Sequence, residues 1–317
     1  MSRESKENTY RGPSWLVSGL TTVSVVAMLV SYPHGRAVAE EGVQQLPETV
    51  VSASRIPVLS ESVGSAVTVI TGEELERRQV RLVSDVLRDV PGLAVSRSGG
   101  AGTFTQVRIR GAEANQTLVL IDGVEINNPA GGSEFDFANL LASDIERIEV
   151  LRGPQSALYG SDAIGGVINI ITKSAPGNGV EAQASGEYGS FGTSQVAGSA
   201  KVGFADVVSA ALSVARYDTD GISAADEDNG NDENDGYENT TLNAKLTVKP
   251  ADFIQFDFAG RRVNSEAEFD GFVGGIGATD ADNRTESEQT YGKAEVKLTL
   301  FDGIWEHLGR VDRKSVV

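Results

Sequence analysis

The sequence predicts a small mixed α+β domain followed by strands of a transmembrane antiparallel β-barrel. Three observations lead to this prediction. An apolar segment near the N-terminus has the features of a secretory signal peptide. Helix and strand signals are mixed between residues 56 and 174. From Val180 onwards the helical signal disappears, and apolar residues alternate with polar ones as they do in barrel strands.

The composition excludes most kinds of catalytic and metal site. The chain has 317 residues, a net charge of −18, no cysteine and two histidines. The lack of cysteine excludes disulfides, thiol catalysis and Cys-ligated metals, and so few histidines make a Ser-His-Asp triad nearly impossible. The negative charge opposes binding to nucleic acid, so none is expected as a partner. We therefore expect a protein that is not an enzyme.

Residues 1–39 are predicted to be a signal peptide that is removed after Ala39. Basic residues precede the apolar run Trp15–Val30, and this run is shorter than the roughly 20 apolar residues of a spanning helix. Small residues at positions 37–39 (AVA) fit a cleavage site. An uncleaved membrane anchor is the alternative.

The next segment, residues 40–55, is predicted to be extended. It contains the run Glu48–Ser54 (ETVVSAS), which is rich in residues that favour strands and follows Pro47. An exposed segment of this kind near a terminus can add itself to the sheet edge of another protein. The alternative, an ordinary first strand or linker, is the one that these residues alone favour.

Residues 56–174 have the pattern of a compact mixed domain. Thr71 and Glu74 form a capping box at the start of a short helix, and a second helix is predicted over Val83–Val90, before Pro91. The main strands are predicted at Ser65–Thr71, Gln106–Arg110, Thr117–Ile121, Ile145–Leu151 and Val167–Thr172. Asp122 follows one of these strands and is interpreted as part of an Asp-Gly turn.

About six strands of roughly ten residues are predicted after Val180. In the clearest of them Leu242, Ala244, Leu246 and Val248 alternate with polar residues. One apolar and one polar face in an exported chain suit an outer-membrane barrel, with lipid outside and a polar lumen inside. A soluble β-sandwich or β-helix is the alternative.

Four ordered motifs resemble the plug domain of TonB-dependent outer-membrane receptors. They are Leu87–Leu93 (LRDVPGL), Arg108–Gly111 (RIRG), Val119–Gly123 (VLIDG) and Glu146–Thr172 (ERIEVLRGPQSALYGSDAIGGVINIIT). Within this family the phrases are most similar to those of the cobalamin receptors. The resemblance implies an α+β plug domain, residues 56–174, inside a transmembrane antiparallel β-barrel whose first strands are residues 180–317.

The resemblance also implies a mechanism and partners. Such receptors lie in outer-membrane lipid of Gram-negative bacteria and take up scarce, large nutrients. TonB, driven by the proton gradient of the inner membrane, pairs with a short box and opens the plug. The box matches Glu48, Thr49, Val50, Val51 and Ser52 in this chain. The expected cargo is cobalamin; a ferric siderophore or haem is the alternative, and an exported structural or adhesive β-protein is a third possibility.

By the same resemblance the ligand meets two apex loops, residues 96–106 and 127–134. The candidate ligand contacts are Ser98, Thr103, Phe104, Asn127 and Asn128. Phe104 is the strongest candidate because an apolar ring at a glycine-rich tip needs a partner. Arg110 and Arg152 match plug arginines that face acidic groups of the barrel wall.

An acidic stretch, residues 218–239, has no Lys or Arg and offers the hard oxygen ligands that calcium prefers. The cobalamin receptors order such loops around calcium, and the candidate ligands here are Asp218, Glu233, Asp235 and Asp270. A solvated acidic loop is the alternative. No other cofactor is expected.

The barrel is expected to be incomplete in this chain. Plugged outer-membrane transporters have about 22 strands, and six or seven cannot enclose a domain of this size. The last residues also lack the terminal aromatic residue that is usual in this class of barrel. We expect an N-terminal fragment, a truncated gene or a frameshift near Trp305.

Overall fold

The computed structural model describes residues 49–50, 58–59, 64–223, 234–273, 277–301 and 305–317. The predicted signal peptide lies outside the described residues, as do Glu48, Val51, Ser52 and Glu233. The strands, in chain order, are β1 (Thr49–Val50), β2 (Val58–Leu59), β3 (Ala66–Thr71), β4 (Leu93–Arg97), β5 (Thr105–Ile109), β6 (Thr117–Ile121), β7 (Val124–Glu125), β8 (Ile145–Arg152), β9 (Gly166–Thr172), β10 (Gly179–Tyr188), β11 (Ser194–Phe204), β12 (Val208–Thr219), β13 (Tyr237–Ala251), β14 (Ile254–Val273), β15 (Gly277–Leu300) and β16 (Trp305–Val316). The α-helices are α1 (Gly72–Arg77), α2 (Val83–Leu87) and α3 (Ser156–Tyr159).

The first domain is built on a five-stranded sheet with the order β3-β8-β9-β6-β7, in which only β6 and β9 run parallel. Every residue of β6 is buried, as its continuous apolar sequence predicts. The core also takes side chains from α1 and α2, including Leu75 and Leu87. The mixed α+β domain predicted from the sequence is confirmed.

The capping signals place the helices correctly but overestimate the second one. The Oγ1 of Thr71 accepts a hydrogen bond from the Glu74 amide at 3.2 Å, so α1 begins where the capping box predicts. Helix α2 ends at Leu87, short of the predicted end at Val90. The amides of Asp89 and Val90 donate to carbonyls three residues back instead, because Pro91 disfavours helical geometry in the residue before it.

The second part of the chain is a seven-stranded antiparallel sheet with the order β10 to β16. Each strand pairs with the next in sequence. Among the described residues β10 and β16 do not pair with each other, so the sheet is open. Strands β14 and β15, of 20 and 24 residues, are much longer than predicted. The first half of β15 is mostly polar and lacks the alternation of apolar and polar residues on which the strand prediction relied.

The two faces of this sheet differ as a barrel wall requires. On β13 the side chains of Asn239, Thr241 and Asn243 are at most 3% exposed and face the first domain, whereas Leu242 is 45% exposed on the other face. The predicted alternation of polar inside and apolar outside is therefore confirmed.

No helix in the part of the chain that the structure describes is long and apolar enough to cross a membrane.

Candidate functional site at the plug apex

The first apex loop turns tightly between β4 and β5, over residues 98–104. The Ser98 amide donates to the Phe104 carbonyl at 3.1 Å, and the Thr103 hydroxyl donates to the Gly100 carbonyl at 2.8 Å. The Phe104 side chain is left 42% exposed at this tip. Of the five predicted ligand contacts, Phe104 is therefore the one whose apolar surface is available to a ligand.

This loop rests directly on the wall. Gly102 has a φ of +77°, and a Cβ atom placed there would lie 2.1 Å from Cδ2 of Tyr237, the first residue of β13. Only glycine combines that conformation with so close an approach. No sequence signal predicts this contact, because nothing local to Gly102 or Tyr237 indicates a partner so far away along the chain.

Tyr237 is fixed from its other end as well. Its hydroxyl donates to Oδ1 of Asn139 at 3.0 Å and accepts from Nδ2 of Asn239 at 2.8 Å, and that amide also donates to the Asn139 carbonyl at 3.1 Å. Tyr237 is 1% exposed and Asn239 is fully buried. This polar network joins the wall, at the C-terminal end of the acidic stretch, to the plug just below the apex.

The second apex loop is organised by Asn127. Its Oδ1 accepts from the Val119 amide at 2.8 Å, and its Nδ2 donates to the carbonyls of Thr117 and Ser133, each at 3.0 Å. The residue is 1% exposed. We correct the predicted ligand contact to a structural role, because its hydrogen bonds are already taken by the backbone of the loop.

Asn128 also stabilises the second apex loop through its side-chain oxygen. Its Oδ1 accepts from the Ala130 amide at 3.1 Å and caps a short 3₁₀ turn over Pro129–Gly131. Its side chain is only half-buried, so it stays a candidate for contact with a ligand.

Asp136 links the apex to the rest of the plug. One of its oxygens, Oδ1, accepts from the Thr105 amide at 2.8 Å and from the Ala138 amide at 2.9 Å. Burial raises the pKa of this carboxyl, although the two amide donors act against the shift. Asp136 thus holds the start of β5, next to Phe104, at the cost of a buried charge.

We expect Asp136→Ala to destabilise the plug by about 1–3 kcal/mol, because two buried amides lose their acceptor. Asp136→Asn should cost much less, since both bonds use one oxygen that asparagine retains. A raised pKa means that the stability contributed by Asp136 is present at low pH and is lost as the pH rises through the folded pKa. Asp136→Asn should remove that dependence. Urea unfolding of both variants across the acid range tests this, and equal losses would refute it.

Ionic contacts join the plug to the inner face of the wall. Arg261 on β14 pairs with Asp144, and both side chains are at most 3% exposed. Lys245 on β13 donates to Oδ1 of Asp122 and to the Thr172 carbonyl, each at 2.6 Å. Lys314 on β16 donates to the Asn127 carbonyl. In each of these contacts the wall supplies the cation and the plug supplies the acceptor.

Arg110 and Arg152 were expected to face wall acids; the structure gives Arg152 other partners, and for Arg110 the expectation stays a prediction. Arg152 donates instead to the Pro91 carbonyl at 2.6 Å and to the Thr68 hydroxyl at 2.9 Å, both within the plug. Arg110 is exposed at a turn after β5, with a φ of +52°. Among the described residues, the plug arginine that pairs with a wall acid is Arg81, whose partner is Glu187 on β10.

The predicted calcium ligands are only partly gathered. Asp218 pairs with Arg216 at 3.2 Å, Asp270 accepts from the Ser223 hydroxyl at 3.0 Å, and Asp235 is 6% exposed. Glu233 lies outside the described residues. Within the described ranges, no three side chains of His, Cys, Asp or Glu converge as a metal site. The described residues therefore do not form a complete calcium shell.

The predicted TonB box is described only at Thr49 and Val50. They form β1, which pairs antiparallel with β2, so that Thr49 lies opposite Leu59 and Val50 opposite Val58. The extended conformation agrees with the strand-favouring sequence. Its role as a box stays a prediction.

Comparison with known proteins gives concordant results. Residues 60–167 match the TonB-dependent Receptor Plug Domain family. The vitamin B12 transporter BtuB of Photobacterium profundum is 36% identical over 225 residues, which cover 71% of this chain and 36% of that protein. BtuB of Vibrio vulnificus (strain YJ016) is 33% identical over 81% of this chain and 41% of that protein. The chain thus spans well under half the length of these curated relatives.

Solved structures show the same fold. The ferripyoverdine receptor of the Pseudomonas aeruginosa outer membrane, bound to ferripyoverdine, aligns with a TM-score of 0.69 and 17% identity, over 84% of this chain and 36% of that one. The ferric yersiniabactin uptake receptor FyuA of Yersinia pestis aligns with a TM-score of 0.62 and 23% identity, over 80% and 41% of the two chains. Residues 60–167 thus match the plug domain of TonB-dependent receptors, and the described fold, a plug domain with adjoining barrel strands, is similar to part of such receptors.

Proposed function

We propose that this protein acts in the outer membrane as a TonB-dependent receptor that takes up cobalamin. The observation that carries the proposal is the 36% identity to a vitamin B12 transporter over 225 residues. The structure supports a binding role for the apex, where Phe104 is exposed on a loop that Gly102 and Asp136 hold in place.

Uptake in this proposal involves movement and no covalent chemistry. The cargo docks against Phe104 and the outer loops, while the plug blocks the lumen through its contacts with the wall. Docking frees β1 from β2, and TonB pairs with the released strand by strand addition. Work derived from the proton gradient then breaks the contacts between plug and wall.

Calcium is a second element of the proposal. We propose that carboxylates of the acidic stretch, Asp218 and Asp235 among them, would hold this ion, which would supply the positive charge that orders the stretch. Hard carboxylate oxygens suit this ion. The shell requires Asp218 to leave Arg216, an exposed pair of the kind that contributes at most about 1 kcal/mol.

The test is binding of labelled cobalamin to outer membranes from cells that express the protein from its own locus. We expect Phe104→Ala to weaken binding about thirtyfold, since loss of a central aromatic contact costs about 2 kcal/mol. Leu158→Ala is the matched control, because Leu158 is equally exposed at 42% but lies in α3, outside the apex loops. It should leave binding unchanged.

Two further measurements test the energy source and the role of calcium separately. Collapse of the proton gradient should abolish uptake and spare binding. A calcium chelator should weaken binding; indifference to it would remove calcium and keep the cargo. If the folded wild-type protein binds no cobalamin, the proposed cargo is wrong, and a ferric siderophore is the ligand to measure next.

A further inference from the structure

The inner face of the wall carries three cations whose acceptors belong to the plug. Lys245, Arg261 and Lys314 lie on β13, β14 and β16 and meet Asp122, Asp144 and the Asn127 carbonyl. The strand register places them close together on one face. Tyr291 lies directly opposite both Arg261 and Lys314, and Lys245 is two residues from Asn243, the partner of Arg261.

Two other cations on the same face, Lys201 and Lys293, have acidic partners within the wall itself. Lys201 pairs with Glu181 at 3.1 Å, and Lys293 approaches Glu295 at 3.7 Å. Lys201, Lys245 and Lys293 belong to one cross-strand row. Among the described residues, Lys245, Arg261 and Lys314 form no ion pair with an acid of the wall. Movement of the plug therefore leaves Lys245 and Arg261 without their counter-charges and Lys314 without its carbonyl acceptor, while on β10 it frees Glu187 from Arg81.

We propose that Lys245, Arg261 and Lys314 form an anion-guiding stripe, which plug movement uncovers and which favours cargo that presents anionic oxygens. The inference rests on the proposed function, because it needs the plug to move. Once Asp122 and Asp144 withdraw, three positive charges face a confined aqueous lumen. Charges of one sign in such a passage raise the local concentration of the opposite sign and speed entry.

The chemical class of cargo follows from this charge. The phosphodiester of cobalamin and the deprotonated oxygens of a ferric tris-catecholate are both suitable anionic groups. Neutral or cationic solutes of the same size gain nothing from the stripe. In the resting state the plug acceptors mask the stripe, so it does not contribute to binding at the apex.

The test uses Lys245→Gln, since this side chain is 17% exposed and its loss leaves no fully buried charge behind. We expect uptake of labelled cobalamin to fall about fivefold, the effect of one unit charge at contact distance in water. Binding at the cell surface should not change. A ferric tris-catecholate, tested in parallel, should be slowed more because it carries more charge, and Lys245→Arg should restore uptake of both.

Two controls separate guidance from anchoring. Asp122→Asn removes the same ion pair from the plug side but keeps the wall charge, and asparagine tolerates the φ of +50° at this position. It should leave uptake near the wild-type rate. The double variant Glu181→Gln/Lys201→Gln removes a neutral pair from the same row and should also have no effect.

Equal losses in Lys245→Gln and Asp122→Asn would overturn the proposal, because they would mean that the pair only anchors the plug. Unchanged uptake in Lys245→Gln would overturn it as well. Absence of uptake by the wild-type protein is a different result: it would remove the proposed function, and the stripe with it.

Discussion

Gly102→Ala is expected to lift the first apex loop off the wall and to weaken both the fold and ligand binding. The new Cβ would lie 2.1 Å from Cδ2 of Tyr237 and 2.8 Å from Cβ of Ala267, so the loop has to shift. Alanine at a φ of +77° costs about 1–2 kcal/mol by itself, and overpacking at a buried ring adds about 1–3 kcal/mol. Urea unfolding in lipid vesicles and labelled-cobalamin binding would measure the two effects.

Gly100 provides the matched control within the same loop. A Cβ at Gly100 would meet no heavy atom within 4 Å, and its φ is not in the left-handed region. Gly100→Ala should therefore be close to neutral. In a Tyr237→Ala background, Gly102→Ala should cost less, because the ring that it strikes is gone and only the backbone strain and the 2.8 Å approach to Cβ of Ala267 remain. Similar losses for the two glycine variants in the wild-type background would contradict the proposed contact.

Binding should fall with stability in Gly102→Ala because Phe104 lies two residues further along the loop. A shift of the loop backbone moves the exposed ring away from the position that the Ser98–Phe104 hydrogen bond fixes. Asp136 holds the other end of this segment through Thr105. The ligand site is thus positioned from the wall and from the plug together.

Local signals in the sequence were sufficient for most of the fold. The capping box at Thr71 placed α1, the continuous apolar run over Thr117–Ile121 placed a buried strand, and the period of two placed the wall strands. Each of these signals depends on residues only a few positions apart. The length of β14 and β15 was missed, because strands that continue beyond the apolar zone carry polar side chains on both faces.

The contacts between plug and wall were not predictable in the same way. Tyr237 and Asn139 are 98 positions apart, and Asp144 and Arg261 are 117 positions apart. No spacing rule links such residues before the two domains meet. Asp122 illustrates how far local patterns can predict. The Asp-Gly pattern identified its turn, and the φ of +50° agrees with a turn. Its partner Lys245 lies in another domain, and no local pattern indicates that contact.

The resemblance to a family supplied residue types but not their partners. Arg152 was expected at the wall, yet its guanidinium is used to bind Pro91 and Thr68 inside the plug. Asn127 was expected at the ligand, yet three backbone hydrogen bonds bury it. In both cases the hydrogen bonds go to nearby backbone or hydroxyl partners, and these partners depend on tertiary packing.

Arg261→Gln is expected to cost about 3–5 kcal/mol, because it leaves the Asp144 carboxylate buried without its counter-charge. Both side chains are at most 3% exposed, so water cannot replace the lost cation. The adjacent Arg262 is the matched control: its pair with Glu288 at 3.0 Å is more than half exposed on both sides. Arg262→Gln should therefore change the free energy of unfolding by at most about 1 kcal/mol. Comparable losses in the two variants would show that the Asp144 pair is solvated.

The double replacement Asp144→Leu/Arg261→Met tests whether stability requires the charged pair itself or only requires that neither charge is buried without a partner. With both charges removed no ion remains buried, and apolar side chains of similar volume often recover stability or exceed it. We expect the double variant to unfold at nearly the same urea concentration as the wild-type protein. We also expect it to resist opening by TonB, because water can replace the lost partner of a separated charge but not that of a separated apolar side chain. Outer-membrane permeability to a large antibiotic gives the complementary readout. Permeability should rise in Arg261→Gln, where the plug is loosened, and stay low in the double variant. Increased permeability in both variants would mean that other contacts of the plug close the lumen.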